Sequence, residues 1–225
     1  MKISDLQSAV LDHKGQFVCR QIRNENNIKT VHFRHVASPA SAEPDLPDVG
    51  RLADFYDTFG SLLLYHDEKS DEAARHIAPP SEWEGLDTGF SMWLDGIDDE
   101  ELSEIAPEWI DARLVIGETP ASGNYILMVR EGPLSGQVFE FDHDGFEFRH
   151  VANDLVEYVR VFLAPDSSLL LDIASHMRFV EDDQQQPVDG RPDGRCQHGN
   201  GHGRHGWLCH AGGRKRRLWR IVGGL

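Results

Sequence analysis

The sequence predicts a single α+β domain over residues 1–180 and a disordered basic tail over residues 181–225. Three observations predict it. Short stretches that alternate apolar and polar residues come in pairs around turn residues, as in β-hairpins. Two stretches between 153 and 179 repeat their apolar residues at helical spacing behind capping residues. After Val180 the apolar periodicity stops, and ten of the 21 glycines lie from position 190 onward.

The elements follow in order. "GQFVCRQI" (15–22) and "IKTVHFRHV" (28–36) read as one hairpin around "RNENN". The proline-rich "ASPASAEPDLP" (37–47) reads as a connection. Leu52, Phe55, Tyr56 and Phe59 fall at helical spacing, with Gly60 as the stop. "SLLLYHD" (61–67) fits a buried strand. Residues 71–97 carry Trp83, Phe90, Met92 and Trp93 as core candidates but no decisive period. "DDEELSEIAPEWI" (98–110) begins with four acids, which complement the macrodipole of a helix start, and Pro107 ends it. "ARLVIGE" is a short strand. "NDLVEYVRVFLAP" (153–165) is the clearest helix, with Asn153 as N-cap and Pro165 as terminator. A second helix follows over 166–179, capped by Asp166 or Ser167.

The stretch "QVFEFDHDGFEFRHV" decides between a chemical site and a hairpin. Asp144-Gly145 between alternating apolar residues predicts a two-residue type I′ turn. The register then sets His143 opposite Phe146, Phe141 opposite Phe148 and Phe139 opposite His150, all on one face that must lie on a core. The other face sets Glu140 opposite Arg149, a favourable pair, and Asp142 opposite Glu147, two like charges. His143 and Asp142 therefore point to opposite faces, which is poor geometry for a metal. No metal site and no cofactor is predicted.

The order of these pieces resembles the SUKH superfamily, which takes in the Smi/Knr cell-wall regulators and many bacterial immunity proteins. The matching stretches are "LADFYDTFGSLLLY" (52–65), "LVIGETPASGNYILMV" (114–129), "GQVFEFDHDG" (136–145) and "ANDLVEYVRVFL" (152–163), so the likeness covers about 47–164. The N-terminal hairpin departs from the usual start, and the tail has no counterpart. The resemblance implies a mixed, mostly antiparallel sheet packed by helices, no catalysis and a protein-binding role, typically the neutralising of a polymorphic toxin.

Charge bears on the partner. The chain carries a net charge of −16, but residues 190–225 hold eight Lys/Arg and one acid, leaving −23 on the body against +7 on the tail. An acidic body repels nucleic acid and anionic membranes and attracts basic proteins, although plain solubility is the commoner use of such a surface. A basic protein, such as a toxin nuclease domain, is the expected partner. The expected contact residues are Asp98, Asp99, Glu100, Glu101 and Glu104 in one segment and Asp142 with Glu147 on the hairpin.

Other chemistry finds little support. Three cysteines, a low and odd count, argue against a disulfide scaffold. The charged N-terminus is no signal peptide, and no apolar run is long enough to span a bilayer, so the expected compartment is the cytoplasm. No G-x-S-x-G, phosphate-loop or H-E-x-x-H motif occurs. Cys196, His198, His202, His205, Cys209 and His210 are zinc-ligand types, but their spacing matches no standard finger. The expectation is a non-enzymatic binding module, an immunity protein. The alternatives are a regulatory scaffold for an endogenous partner, or a small metal-assisted hydrolase using Asp142 or Glu147 with a histidine.

Overall fold

The alternating stretches do pair side by side. The computed structural model describes residues 3–21, 28–40, 46–176 and 219–223. The elements run α1 (Ile3–Asp12), β1 (Gly15–Gln21), β2 (Ile28–Pro39), α2 (Leu52–Tyr56), β3 (Phe59–His66) and β4 (Arg75–Ile77). Then come α3 (Trp83–Leu94), α4 (Asp99–Ile105), β5 (Arg113–Thr119), β6 (Asn124–Val129), β7 (Val138–Asp142) and β8 (Glu147–Ala152). The chain continues with α5 (Leu155–Leu163), α6 (Ser167–His176) and β9 (Trp219–Gly223). All strands join one sheet in the order β8-β7-β6-β5-β4-β3-β2-β1-β9, with every described pairing antiparallel. The α+β class is as the sequence predicts.

Period two along each strand sends alternate side chains to two helical layers. On one face Leu62, Leu64, Ile77, Ile126 and Met128 pack with Leu6 and Val10 of α1, Phe55 of α2, Val159 and Phe162 of α5 and Ile173 of α6. On the other face Phe90 of α3 packs with Val115, Leu127 and Phe141.

Several expectations need correction. The helix read through Phe59 ends at Tyr56, and Gly60 lies inside β3 instead of stopping a helix. A Cβ at Gly60 would sit 2.3 Å from the Pro39 carbonyl oxygen, so glycine serves the close approach of β2. The hairpin register holds, with Asp142 opposite Glu147, Glu140 opposite Arg149 and Phe141 opposite Phe148. Its turn differs. Residues 143–146 form a four-residue loop in which Phe146, not Gly145, takes positive φ at 49°. Two local interactions offset that strain: Asp144 N–H donates to the Asp142 carboxylate at 3.2 Å, and the Phe146 ring meets Phe141 at 5.2 Å. The N-cap of α5 is Asp154 and not Asn153; its carboxylate accepts from Glu157 N–H at 2.7 Å, while Asn153 N–H donates to the Glu157 carboxylate. Of the predicted tail only Trp219–Gly223 falls among the described residues, and it pairs with β1. β1 would otherwise present an open edge, and such an edge accepts a β-prone strand. Cys196, Cys209 and the histidines near them lie outside the described residues.

α1 escaped the sequence reading. Leu6 and Val10 are fully buried beneath it, and two histidines fasten its C-terminal end. Tyr65 N–H donates to His35 Nδ1 at 3.1 Å, which leaves the proton of His35 on Nε2 to be donated to His13 Nδ1 at 2.7 Å. Both rings are neutral in this arrangement. Burial, followed by the neighbouring His13, lowers the pKa of His35 to about 3 from its ordinary 6.5, and burial lowers that of His13.

Two predictions follow from this packing. Phe141→Ala should cost ~3–5 kcal/mol in chemical denaturation, because Phe141 is buried. Phe148→Ala should cost less, because Phe148 is only half-buried. The histidine pair sets the acid response. The unfolded chain binds a proton at His35 below pH 6.5 that the folded chain refuses until about pH 3, so stability is full above 6.5 and falls through that window. Melting temperatures measured from pH 7 to pH 4 should therefore decline, and His35→Gln should flatten the decline.

Candidate functional site

β7 places Val138, Glu140 and Asp142 on the face covered by α5 and α6, and Phe139 and Phe141 on the face covered by α3. Glu140 is thereby carried under the helices, where an ionised carboxylate needs full compensation. It receives it from three elements. The Arg75 guanidinium of β4 donates through Nε to Oε1 at 2.8 Å and through Nη2 to Oε2 at 3.1 Å. The Tyr158 hydroxyl of α5 donates to Oε1 at 2.7 Å. Arg149, the cross-strand partner on β8, donates to Oε2 at 2.6 Å. Arg75 also donates to Asp172 of α6 at 2.6 Å and to the Ala74 carbonyl at 2.8 Å.

The protonation states follow from this geometry. Burial alone would raise the Glu140 pKa, but the Arg75 charge and hydrogen bonds, with those of Tyr158 and Arg149, hold it down to about 2. Burial would likewise depress Arg75, yet Glu140 and Asp172 drive its pKa well above the ordinary arginine value. Tyr158 is pushed well up, first by burial and then by the Glu140 charge. At physiological pH Glu140 and Arg75 are therefore charged and Tyr158 is neutral.

Outside it lies a cavity of about 160 Å³. Arg75, Asn124, Asp142, Glu147, Arg149 and Asp172 are among the residues that line it. Arg75 and Arg149 balance Glu140 and Asp172. Asp142 and Glu147, directly opposite one another at the hairpin end, leave an excess of two negative charges beside the opening. Such a site favours a cation.

The expected contact residues fall in two places. Asp142 and Glu147 come together on this face. Asp98 caps α4, accepting from Glu101 N–H at 3.0 Å. Asp99 begins that helix, and Glu100, Glu101 and Glu104 are exposed on it. α4 runs between α3 and Trp109, and Trp109 packs on Phe139 and Phe148 of the opposite face. The α4 acids are not among the residues that line the cavity. The histidine nearest Asp142 in sequence, His143, packs against Trp93 of α3 and does not enter the cavity. Among the described residues no three His, Cys, Asp or Glu side chains converge as a metal site. No described helix is long and apolar enough to cross a membrane.

Arg75, Tyr158 and Asp172 were not picked out from the sequence. The available signal was an arginine within the apolar run "AARHIA" and a glutamate between two buried phenylalanines, both at positions that a buried strand leaves for partners only. Compared with protein-family models, with curated proteins and with solved structures, the chain has no match.

Glu140→Ala should strand the Arg75 charge and cost ~3–5 kcal/mol in urea unfolding. Arg149→Ala, which removes a guanidinium that is 60% exposed, should cost under ~1 kcal/mol. Similar losses from both would mean that Arg149 is as integral to the buried network as Glu140.

Proposed function

We propose that the protein is a non-enzymatic binding module that captures a basic protein partner at the β7–β8 end of its sheet. In this reading it is an immunity protein that acts in the cytoplasm and occludes the active surface of a toxin. The observation that carries the proposal is the Asp142–Glu147 pair. Two carboxylates directly opposite on adjacent strands repel one another, and they stand beside a cavity whose inner charges are already balanced. A lysine or arginine from a partner, placed between them, turns that repulsion into attraction. The ordered resemblance to SUKH proteins over 47–164 supports the immunity role. The charge of the body supports a nuclease as the toxin, because nucleases present basic clefts and complementary fields speed encounter.

The test is kinetic. Asp142→Asn combined with Glu147→Gln should leave the fold as stable as before or slightly more so. Stopped-flow association with the cognate toxin domain should slow about three- to tenfold at low salt, and the difference should shrink as salt is raised. Association of the double variant at the wild-type rate at low salt would show that this face is not the binding surface.

A further inference from the structure

α3 buries Phe90 completely yet leaves two large apolar side chains in solvent at its last turn, Met92 at 69% and Trp93 at 38% exposure. Single exposed apolar residues are ordinary. Trp93, however, is held in place. Its ring packs against the His143 imidazole at 4.8 Å between centroids, the planes inclined at 40°. Gly123 makes room for it, since a Cβ there would lie 2.9 Å from the indole. His143 is fixed in turn by Asn124, whose side-chain oxygen accepts from the His143 backbone N–H at 3.1 Å and from ring Nδ1 at 2.6 Å. Asn124 also lines the cavity beside Asp142 and Glu147. The indole and the acidic cavity thus share one wall, although they face opposite sides of the sheet.

The surroundings of Trp93 are acidic. Asp95 and Asp98 follow it in exposed positions, and Asp144 stands in the hairpin loop 3.2 Å from His143 Nε2. An ordered aromatic and a methionine with a carboxylate rim match the anatomy of a binding hot spot. Carboxylates around a part-exposed indole select one cation above others. A guanidinium stacks flat on the ring and still donates to carboxylates in its own plane, which an ammonium cannot do. We propose that Trp93, backed by His143 and flanked by Met92, is the anchor on which the basic partner seats an arginine side chain. The surface would then wrap the hairpin end, with the partner's charge steered by Asp142 and Glu147 and its grip supplied at Trp93. This inference rests on the reading of the protein as a binder of basic partners.

The experiment titrates hexa-arginine and hexalysine peptides into the full chain at low salt, followed by NMR. Hexa-arginine should saturate and shift the Trp93 indole N–H and the His143 ring signals, and it should bind more tightly than hexalysine. Trp93→Leu, which keeps an apolar side chain without a π face, should weaken hexa-arginine about two- to fivefold and leave hexalysine nearly unchanged. Met92→Ala, at a largely exposed position, gives a second variant whose fold is not at risk and should weaken hexa-arginine slightly. Asp142→Asn with Glu147→Gln should weaken both peptides. If Trp93→Leu binds hexa-arginine as the wild type does while the carboxylate variant loses it, the anchor is overturned and the acidic pair stands. If shifts spread evenly over the acidic body, or if neither peptide binds, the reading of this end as a site for basic partners falls with it.

Discussion

Glu140 sits beneath two helices with a full negative charge, and the arrangement of the sheet's β4–β8 half follows from satisfying it. An isolated carboxylate in that position would cost several kcal/mol or would take up a proton. Arg75 supplies the opposite charge in a bidentate fork, and to do so β4 must lie in the same sheet and present the same face. Tyr158 must reach down from α5, and Asp172 from α6 must accept from Nη2 of Arg75, the nitrogen that also bonds Glu140. One cluster therefore ties β4, β7, β8, α5 and α6 into a single arrangement. Buried ion pairs of this kind add little net stability relative to well-packed apolar residues. What they contribute here is alignment, because sliding any of the five elements would break charge-assisted hydrogen bonds that an apolar contact would not register.

The same hairpin serves two layers. Its aromatic face, Phe139, Phe141 and Phe148, packs against Trp109 and Phe90 and fills the thinner core under α3. Its charged face supplies Glu140 to the interior and Asp142 with Glu147 to the cavity. Distance along β7 separates these roles. Two residues, about 7 Å of strand, take the chain from a buried, compensated carboxylate to a solvent-facing one. The histidine fastening of α1 through His13 and His35 lies in the β1–β3 half of the sheet, whereas Glu140, whose lowered pKa also links stability to pH, lies in the other half.

Much of the fold was legible in the sequence, and the failures have physical causes. The β7–β8 register could be read because a period of two leaves a single pairing that puts three aromatics on one face. The turn could not, because Asp-Gly favours a tight turn locally while Phe146 gains ring contacts that only the folded core offers. Gly60 read as a helix stop because a missing side chain looks the same whether it frees the backbone or admits a neighbouring strand. Ile3, Leu6 and Val10 of α1 keep helical spacing, but a stripe of three in one ten-residue helix is too short to stand out from the polar residues around it. The site was half legible. Asp142 and Glu147 were found from their opposition, whereas Arg75, Tyr158 and Asp172 are distant in sequence and meet only in three dimensions. The α4 acids were legible as a helix start, and Asp98 acts as one, which accounts for part of that charge without a partner.

The internal balance of the network gives the outer pair its meaning. Glu140 lies within 3.1 Å of both arginines, and Asp172 shares Nη2 of Arg75 with it, so Arg75 and Arg149 already have carboxylate partners within the network. An acidic pair added beyond that balance leaves the opening negative. The strand register fixes the two carboxylates opposite each other, and the register cannot shift to relieve them without turning Phe141 out of its core. The fold therefore holds two like charges together by means of a buried aromatic on the other side of the same strand. Carboxylates set side by side by a fixed strand register need no backbone ordering to meet one cation, which is a condition under which surface charge can contribute to recognition as well as to solubility.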